Sequence, residues 1–181
     1  MIVFENKPST KTPINKDNLN ANFSELDGKI DLSNIYGTLG RKSNTTITTT
    51  RNWEMLKAPF EYEINWNGKD YLLDIADGHS IKIGNGVHTI EVSGWVTLFN
   101  TSVNTLVELH ILKNDALAEI CGNYSYFNVG DQTKTIIITP QILKVNAGDL
   151  IALGVMLGAP ATIEFYAQDR PNVGLQIRVI D

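Results

Sequence analysis

Aromatic residues next to planar polar residues are the one pattern in this sequence that suggests chemistry, and that chemistry is sugar binding. An aromatic ring packs on the apolar face of a sugar, while amide, carboxylate and guanidinium groups bond its hydroxyls. One such set, around Trp66, ends a strand whose alternation points Trp66 inward. The preferred sets are linked to distal loops, within one chain or between protomers: Tyr124, Tyr126 and Asn128, and Tyr166, Asp169 and Arg170. Packing in the core or at a subunit interface is the alternative for each ring.

The sequence contains no pattern typical of catalysis or of a metal site. Its three histidines, His79, His88 and His110, have no spacing that would put two of them on one ligand face. The GxSxG, P-loop and GxGxxG motifs are absent, and carboxylate pairs fall on exposed strand positions. The single cysteine, Cys121, cannot form an intramolecular disulfide. We therefore predict a protein that is not an enzyme and that needs no cofactor and no metal ion.

The charge balance argues against two classes of partner. Fifteen basic and 20 acidic residues leave a net charge of -5 without a Lys/Arg cluster, so a phosphate backbone would be repelled. No stretch approaches the roughly 20 apolar residues that cross a bilayer. The opening MIVFENKPS lacks the charged and apolar regions of a secretory signal. We predict no nucleic-acid binding, no membrane insertion and synthesis in a cytoplasm.

An N-terminal segment of different character precedes the residues that would present a site. Its helical period predicts a short helix with one apolar stripe, formed by Leu19, Phe23, Leu26 and Ile30. Two heptads are marginal alone, so the stripe must pack on a globular body or on copies of itself, as a trimeric coiled coil would. We predict a docking arm and coiled-coil helix over residues 1–32 and a Gly/Ser/Thr-rich neck over 33–57.

From residue 58 the apolar period is two, which predicts a β-rich head domain over residues 58–181. Turn signals separate eight to ten short strands and leave no room for crossover helices. The strand at 87–99 is apolar on both faces near its end, where Trp95 and Phe99 share the second face. We expect another chain to cover Trp95 and Phe99. The predicted fold is mainly β, an antiparallel jelly-roll β-sandwich with a short N-terminal helix.

Three stretches of the head carry a more specific signal: GVHTIEVSGWVTLFN, VELHILKND and ILKVNAGDLIALGVML. They resemble the glycine-led strand, the Lys-Asn-Gly-like hairpin and the Gly-Asp turn of the complement-component and tumour-necrosis-factor (TNF)-like jelly rolls. The matching residues are Gly86, His88, Ile90, Lys113, Asn114, Leu143, Gly148, Asp149 and Leu150. Asp115 stands where that hairpin often has glycine. The resemblance implies a homotrimer that packs through aromatic-rich inner sheets, as Trp95 and Phe99 suggest independently.

The N-terminal stretch contains Thr-Pro-Ile-Asn at residues 12–15, followed by Asn-Leu-Asn at 18–20. It is similar to the openings of tail and baseplate proteins of bacteriophages that infect Gram-positive bacteria. The resemblance implies a virion protein, assembled in the host cytoplasm, whose residues 1–31 dock to other baseplate or tail proteins. With a trimeric head it implies a receptor-binding protein that recognises a host cell-surface saccharide. A structural baseplate or decoration protein is the alternative, and a polysaccharide-degrading enzyme is disfavoured because the paired acids of a cleft are missing.

Overall fold

The computed structural model describes residues 35–41, 43–67, 72–99, 101–118, 122–131, 133–166 and 172–180, without the side chains of 62–66. Every regular element in these ranges is a β-strand. In chain order they are β1 Tyr36–Arg41, β2 Thr45–Thr48, β3 Glu54–Lys57, β4 Tyr62–Trp66, β5 Leu73–Ala76, β6 Ser80–Ile83, β7 Thr89–Phe99, β8 Thr105–Lys113, β9 Ala116–Leu117, β10 Asn123–Phe127, β11 Lys134–Lys144, β12 Leu150–Leu157, β13 Thr162–Phe165 and β14 Val173–Val179. The predicted helix with Leu19, Phe23, Leu26 and Ile30 lies outside the described residues.

The strands form two antiparallel sheets. Sheet 1 has the order β2-β13-β7-β14-β1-β4, and β11 pairs with the other side of β7. Sheet 2 has the order β10-β8-β12-β6-β5, with β3 also paired to β12 and β9 to β8. Most neighbours are distant in sequence, as where β1 pairs with β14. This arrangement confirms the predicted mainly-β, antiparallel jelly-roll sandwich.

The core lies between the two sheets because apolar residues alternate along their longest strands. Side chains with no exposed surface come from β7 and β8, namely Ile90, Val92, Val96, Leu98, Val107, Leu109 and Ile111. Burial of each such aliphatic side chain contributes roughly 1.5–3 kcal/mol relative to exposure. The predicted inward face of β7 is thereby confirmed, and its other face points away from the sandwich.

The predicted neck over residues 33–57 is wrong for residues 36–57, which supply β1, β2 and β3. β1 joins β14 and β4 inside sheet 1, and its Leu39 is fully buried. The strand signal is hidden because Gly37, Thr38 and Gly40 occupy buried positions that an apolar residue would have marked. The sandwich therefore begins well before the predicted boundary at residue 58, and the described residues from 35 onward belong to one compact unit.

Candidate functional site

Tyr124 and Tyr126 point away from the core on β10, at one edge of sheet 2. Their exposed fractions are 68% and 53%, whereas the neighbouring Phe127 is fully buried. Residues two apart on a strand share a face, so both rings lie on the same side. β10 pairs with β8, which puts Tyr124 opposite Glu108 and Tyr126 opposite Leu106. Both tyrosines are therefore accessible to a ligand that approaches sheet 2 from outside.

The register of sheet 2 continues this outward face across β8, β12 and β3. Glu108 lies opposite Met156, and Met156 lies opposite Met55. In the adjacent row of paired residues, the Gly158 backbone N–H donates to the Leu106 carbonyl of β8. The Trp53 indole lies against Gly158. We call this surface the sheet 2 platform, and its members are Trp53, Met55, Leu106, Glu108, His110, Tyr124, Tyr126 and Met156. Sequence reasoning missed Trp53 because it assigned residue 53 to the neck.

Trp53 is half exposed and has a left-handed backbone, with φ 57°. Bulky residues rarely adopt this conformation, so the surrounding turn must hold it. The Glu54 carboxylate accepts hydrogen bonds from the backbone N–H of Thr50 at 2.7 Å and of Arg51 at 3.3 Å. These bonds, chiefly that from Thr50, lower the pKa of the Glu54 carboxyl. The backbone N–H of Trp53 donates to the Leu157 carbonyl at 2.8 Å, which connects the turn to β12.

A carboxylate and an imidazole lie within the sheet 2 platform. His110 Nε2 is 2.8 Å from Glu108 Oε2, and the side chains are 16% and 25% exposed. Lys57, on the neighbouring β3, contacts Asp115 at 2.6 Å and Asp77 at 3.4 Å. The hydrogen bond to Asp115 is the main reason why the pKa of Lys57 is raised. The positive charge of Lys57 is therefore offset by two carboxylates.

Asn128 belongs to a closed turn that follows β10. Its backbone N–H donates to Asp131 Oδ2 at 2.7 Å, and its side-chain Nδ2 reaches the same atom at 3.3 Å. Lys134 lies 2.6 Å from Asp131 and donates to the Tyr126 carbonyl, also at 2.6 Å. The Asn128 N–H and Lys134 together lower the pKa of the Asp131 carboxyl. Asn128 thus helps to hold the chain beside Tyr126.

Tyr166 lies on sheet 1, away from the other predicted tyrosines. Its ring packs edge-on against Phe99, with centroids 4.9 Å apart. Phe99 belongs to the outward face of β7, whereas Tyr124 and Tyr126 belong to sheet 2. Asp169 and Arg170 lie outside the described residues. Tyr166 therefore belongs to a different sheet from Tyr124 and Tyr126, which the sequence did not show because sequence distance does not reveal which sheet a strand joins.

The outward face of β7 carries Trp95 as well as Phe99, on a strand paired along both sides. The Trp95 indole covers Gly174 of β14, where a Cβ atom would overlap the ring. On the neighbouring β11, Ile137 lies opposite Trp95 and Ile142 lies opposite Glu91, and these isoleucines are 52% and 58% exposed. We call Trp95, Phe99, Ile137 and Ile142 the sheet 1 outer face. It combines two exposed and two partly exposed apolar side chains, and such residues often meet another protein.

Residues of the family resemblance meet in a hydrogen-bonded cluster away from both outward faces. Asn114 Nδ2 donates to Asp149 Oδ1 at 2.7 Å, and Lys113 contacts Asp149 Oδ2 at 3.0 Å. Asn146 donates its N–H to Asp149 at 2.8 Å, and Leu150 donates its N–H to Asn114 Oδ1 at 2.9 Å. Burial raises the pKa of the Asp149 carboxyl, but these hydrogen bonds outweigh it and lower the pKa overall. This cluster joins two turns of the fold.

Other kinds of site find little support in the residues that the structure describes. No three His, Cys, Asp or Glu side chains among them come together as metal ligands would. A hollow of about 430 Å³ is lined by Asp74, Lys82, Asn85 and Gly148, at the edge of sheet 2 opposite to β10. None of the described segments forms a helix that is both long and apolar enough to cross a bilayer.

Solved structures of two proteins, one a TNF and the other APRIL, share this fold. The chain is similar to Eiger TNF from S. frugiperda, with a TM-score of 0.57 and 11% identity over 81% of this chain and 92% of that chain. It is also similar to murine APRIL, in structures at pH 5.0 and pH 8.0, with a TM-score of 0.53 and 9% identity over 80% and 81% of this chain and 98% of theirs. No protein-family model and no curated protein matches the sequence. The similarity shows a TNF-like jelly-roll fold.

Proposed function

We propose that this chain is a homotrimeric receptor-binding protein of a bacteriophage tail, whose head binds a cell-surface saccharide of a Gram-positive host without cleaving it. The observation that carries the proposal is the pair of exposed rings, Tyr124 and Tyr126, on the outward face of β10. Such rings suit the apolar faces of sugars. The resemblance of residues 12–20 to phage tail proteins supports a place in the virion, with residues 1–31 docked to other baseplate or tail proteins.

The trimer contact in this proposal is the sheet 1 outer face. Ile137 and Ile142 are more than half exposed there, beside Trp95 and Phe99, and a monomer would leave them in water. The predicted helix stripe at residues 19–30 would add a second contact between copies of the chain. Three shallow sugar sites on one particle component would then act together, which raises the overall avidity far above that of one site.

Binding of the purified chain to a glycan array and to intact Gram-positive cells tests the proposal. The double variant Tyr124→Ala and Tyr126→Ala should bind about tenfold less tightly or worse, because each stacked ring contributes about 0.5–1.5 kcal/mol. Leu117→Ala is the matched control, since Leu117 is 55% exposed on β9 of the same sheet, and it should bind like the unaltered chain. An unaltered chain that binds no saccharide and no cell contradicts the proposal.

A structural baseplate or virion decoration protein is the second candidate. Ile137 and Ile142 favour it, because a neighbouring virion protein of different sequence could cover them equally well. In that case the purified chain would bind no saccharide and would remain monomeric. Cross-linking in intact virions would then join β11 to another protein and not to a second copy of this chain.

A further inference from the structure

We propose that the saccharide site runs from the β10 tyrosines across the whole sheet 2 platform to Trp53, and that it takes an uncharged, linear saccharide chain rather than a single terminal sugar. This inference rests on the proposed function and specifies its ligand. It adds Trp53 as a second aromatic surface and Glu108 as a hydrogen-bonding group between the rings.

The first support is the spacing of the aromatic residues. Tyr126 lies opposite Leu106, Leu106 accepts a backbone hydrogen bond from Gly158, and Trp53 lies against Gly158. The row joins four chain segments, and its outer backbones are about 14 Å apart at the usual strand spacing. The Trp53 indole lies over Gly158, so it is separated from β10 by about two strand spacings, or roughly 10 Å. Gly158 has no side chain to obstruct this row. A ligand that touches the rings at both ends must be longer than one sugar.

The second support is the polar group between the aromatic residues. Glu108 lies opposite Tyr124, and its Oε2 is bonded to His110. Among the described residues, Glu108 Oε1 makes no hydrogen bond, so it can accept one from a sugar hydroxyl. The centres of protein–protein interfaces are depleted in charged residues. A carboxylate at the centre of the sheet 2 platform therefore favours a hydroxyl-rich ligand over a protein partner.

The third support is the charge of the side chains on and beside the sheet 2 platform, which is not positive overall. The Glu108 carboxyl lies beside His110 on the sheet 2 platform, and no lysine or arginine belongs to the platform. The ammonium of Lys57, on β3, is held by Asp77 and Asp115. The whole chain carries a net charge of -5. A phosphate-rich polymer would therefore be repelled, whereas an uncharged chain meets no such penalty.

The fourth support is the turn that presents Trp53. A φ of 57° suits glycine or asparagine, and a half-exposed indole contributes little to the core. The turn is nevertheless fixed, because Thr49 is buried and exchanges hydrogen bonds with Ala161 at 2.9 and 3.1 Å. Glu54 fixes the turn from the other side. The chain thus holds a tryptophan rigidly in an unfavourable backbone conformation on an open surface, as a ligand contact requires.

The test uses neutral cell-wall polysaccharide from a panel of Gram-positive bacteria, cut by mild acid into short and long fragments. Teichoic acid from the same cells is the charged probe. We expect long neutral fragments to bind the unaltered chain more tightly than short ones, and teichoic acid not to bind. Trp53→Ala should weaken binding of long fragments about two- to tenfold, to the level of the short ones, and leave the short ones unchanged. Trp53→Phe should restore part of the difference.

Arg51→Ala is the matched control, because the Arg51 side chain is 81% exposed in the same turn, and it should behave like the unaltered chain. Glu108→Gln should weaken the binding of long fragments without changing the melting temperature. The inference is overturned, while the proposed function stands, if Trp53→Ala binds long fragments as tightly as the unaltered chain. It is also overturned if teichoic acid binds through Trp53, or if Trp53→Ala lowers the solution mass, since a second copy would then cover the surface. Failure of the unaltered chain to bind any fragment contradicts the proposed function itself.

Discussion

Asn114 and Asp149 hold together two turns that are 35 residues apart in the sequence. Both were singled out by the family resemblance, and the structure brings them into direct contact. Asp115, which replaces the glycine that is common in this hairpin, has φ 64°. Aspartate tolerates this left-handed backbone better than most residues. By contrast, nothing in the sequence marks Trp53, because only the pairing of β3 with β12 brings it to the sheet 2 platform.

At this scale we predict that Asp149→Asn destabilises the fold. The carboxylate is 8% exposed and accepts hydrogen bonds from Asn114, Asn146 and Lys113. An amide cannot accept all of them, so the free energy of unfolding at neutral pH should fall by about 1–3 kcal/mol. Urea unfolding measures the change. Asp74→Asn is the control, because Asp74 is exposed, and it should change little.

The same carboxyl gives a prediction about acid. The folded-state pKa of Asp149 is lowered, so its stabilisation is present above the ordinary carboxyl pKa of about 3.9 and is lost as the pH falls through the folded value. Asp77 and Asp131 shift in the same direction. We expect stability to fall below about pH 4. The fall should be smaller in Asp149→Asn, and an equal fall in both proteins would mean that Asp149 is not its source.

Among the strands, β7 shows what periodicity can and cannot predict. Its alternation correctly separates the buried Val92 and Val96 from the outward Trp95 and Phe99. β1 was missed because its buried positions hold glycine and threonine, which carry no apolar signal. Tyr124 and Tyr126 lie at an accessible position, and their role in saccharide binding stays a prediction. Tyr166 lies on the other sheet, because pairing between strands distant in sequence leaves no mark in local periodicity.

The contact between β7 and β14 leads to a prediction for Gly174→Ala. The new Cβ would overlap the Trp95 indole, so the ring or the strand must move. We expect a loss of about 1–3 kcal/mol in the free energy of unfolding, typical of overpacking. Thermal melting with tryptophan fluorescence measures it. Gly158→Ala is the control, because a Cβ added there would lie 3.3 Å from the nearest atom, on Trp53, and a smaller effect is expected. Equal effects would contradict the close contact.

At the scale of the whole molecule, the two outward faces differ in composition. The sheet 1 outer face carries exposed aliphatic residues, Ile137 and Ile142, while the sheet 2 platform carries tyrosine and tryptophan around a carboxylate. We assign self-association to the first and saccharide binding to the second. The turn signals and alternation of the sequence were sufficient to predict a two-sheet jelly roll. They could not show that the three strands of residues 36–57 complete it.

We also predict that the head associates without the N-terminal helix stripe. Replacing Leu19 and Phe23 with Ser removes two apolar residues of the predicted coiled coil. The variant should remain a trimer through the sheet 1 outer face, while docking to other tail proteins weakens. Sedimentation of the variant measures this. Complete dissociation would mean that the main contact lies in the N-terminal segment, and Ile137→Glu should then have no effect on the mass.

The central claim is that copies of this chain cover the sheet 1 outer face and leave the sheet 2 platform open to the host. The solution mass of the purified, unaltered chain, measured by light scattering, tests it most directly. A trimer, the expected result, has three times the chain mass of 20.1 kDa. A mass equal to one chain, at concentrations where cells are bound, would contradict both the covered face and the multivalent presentation of the platform.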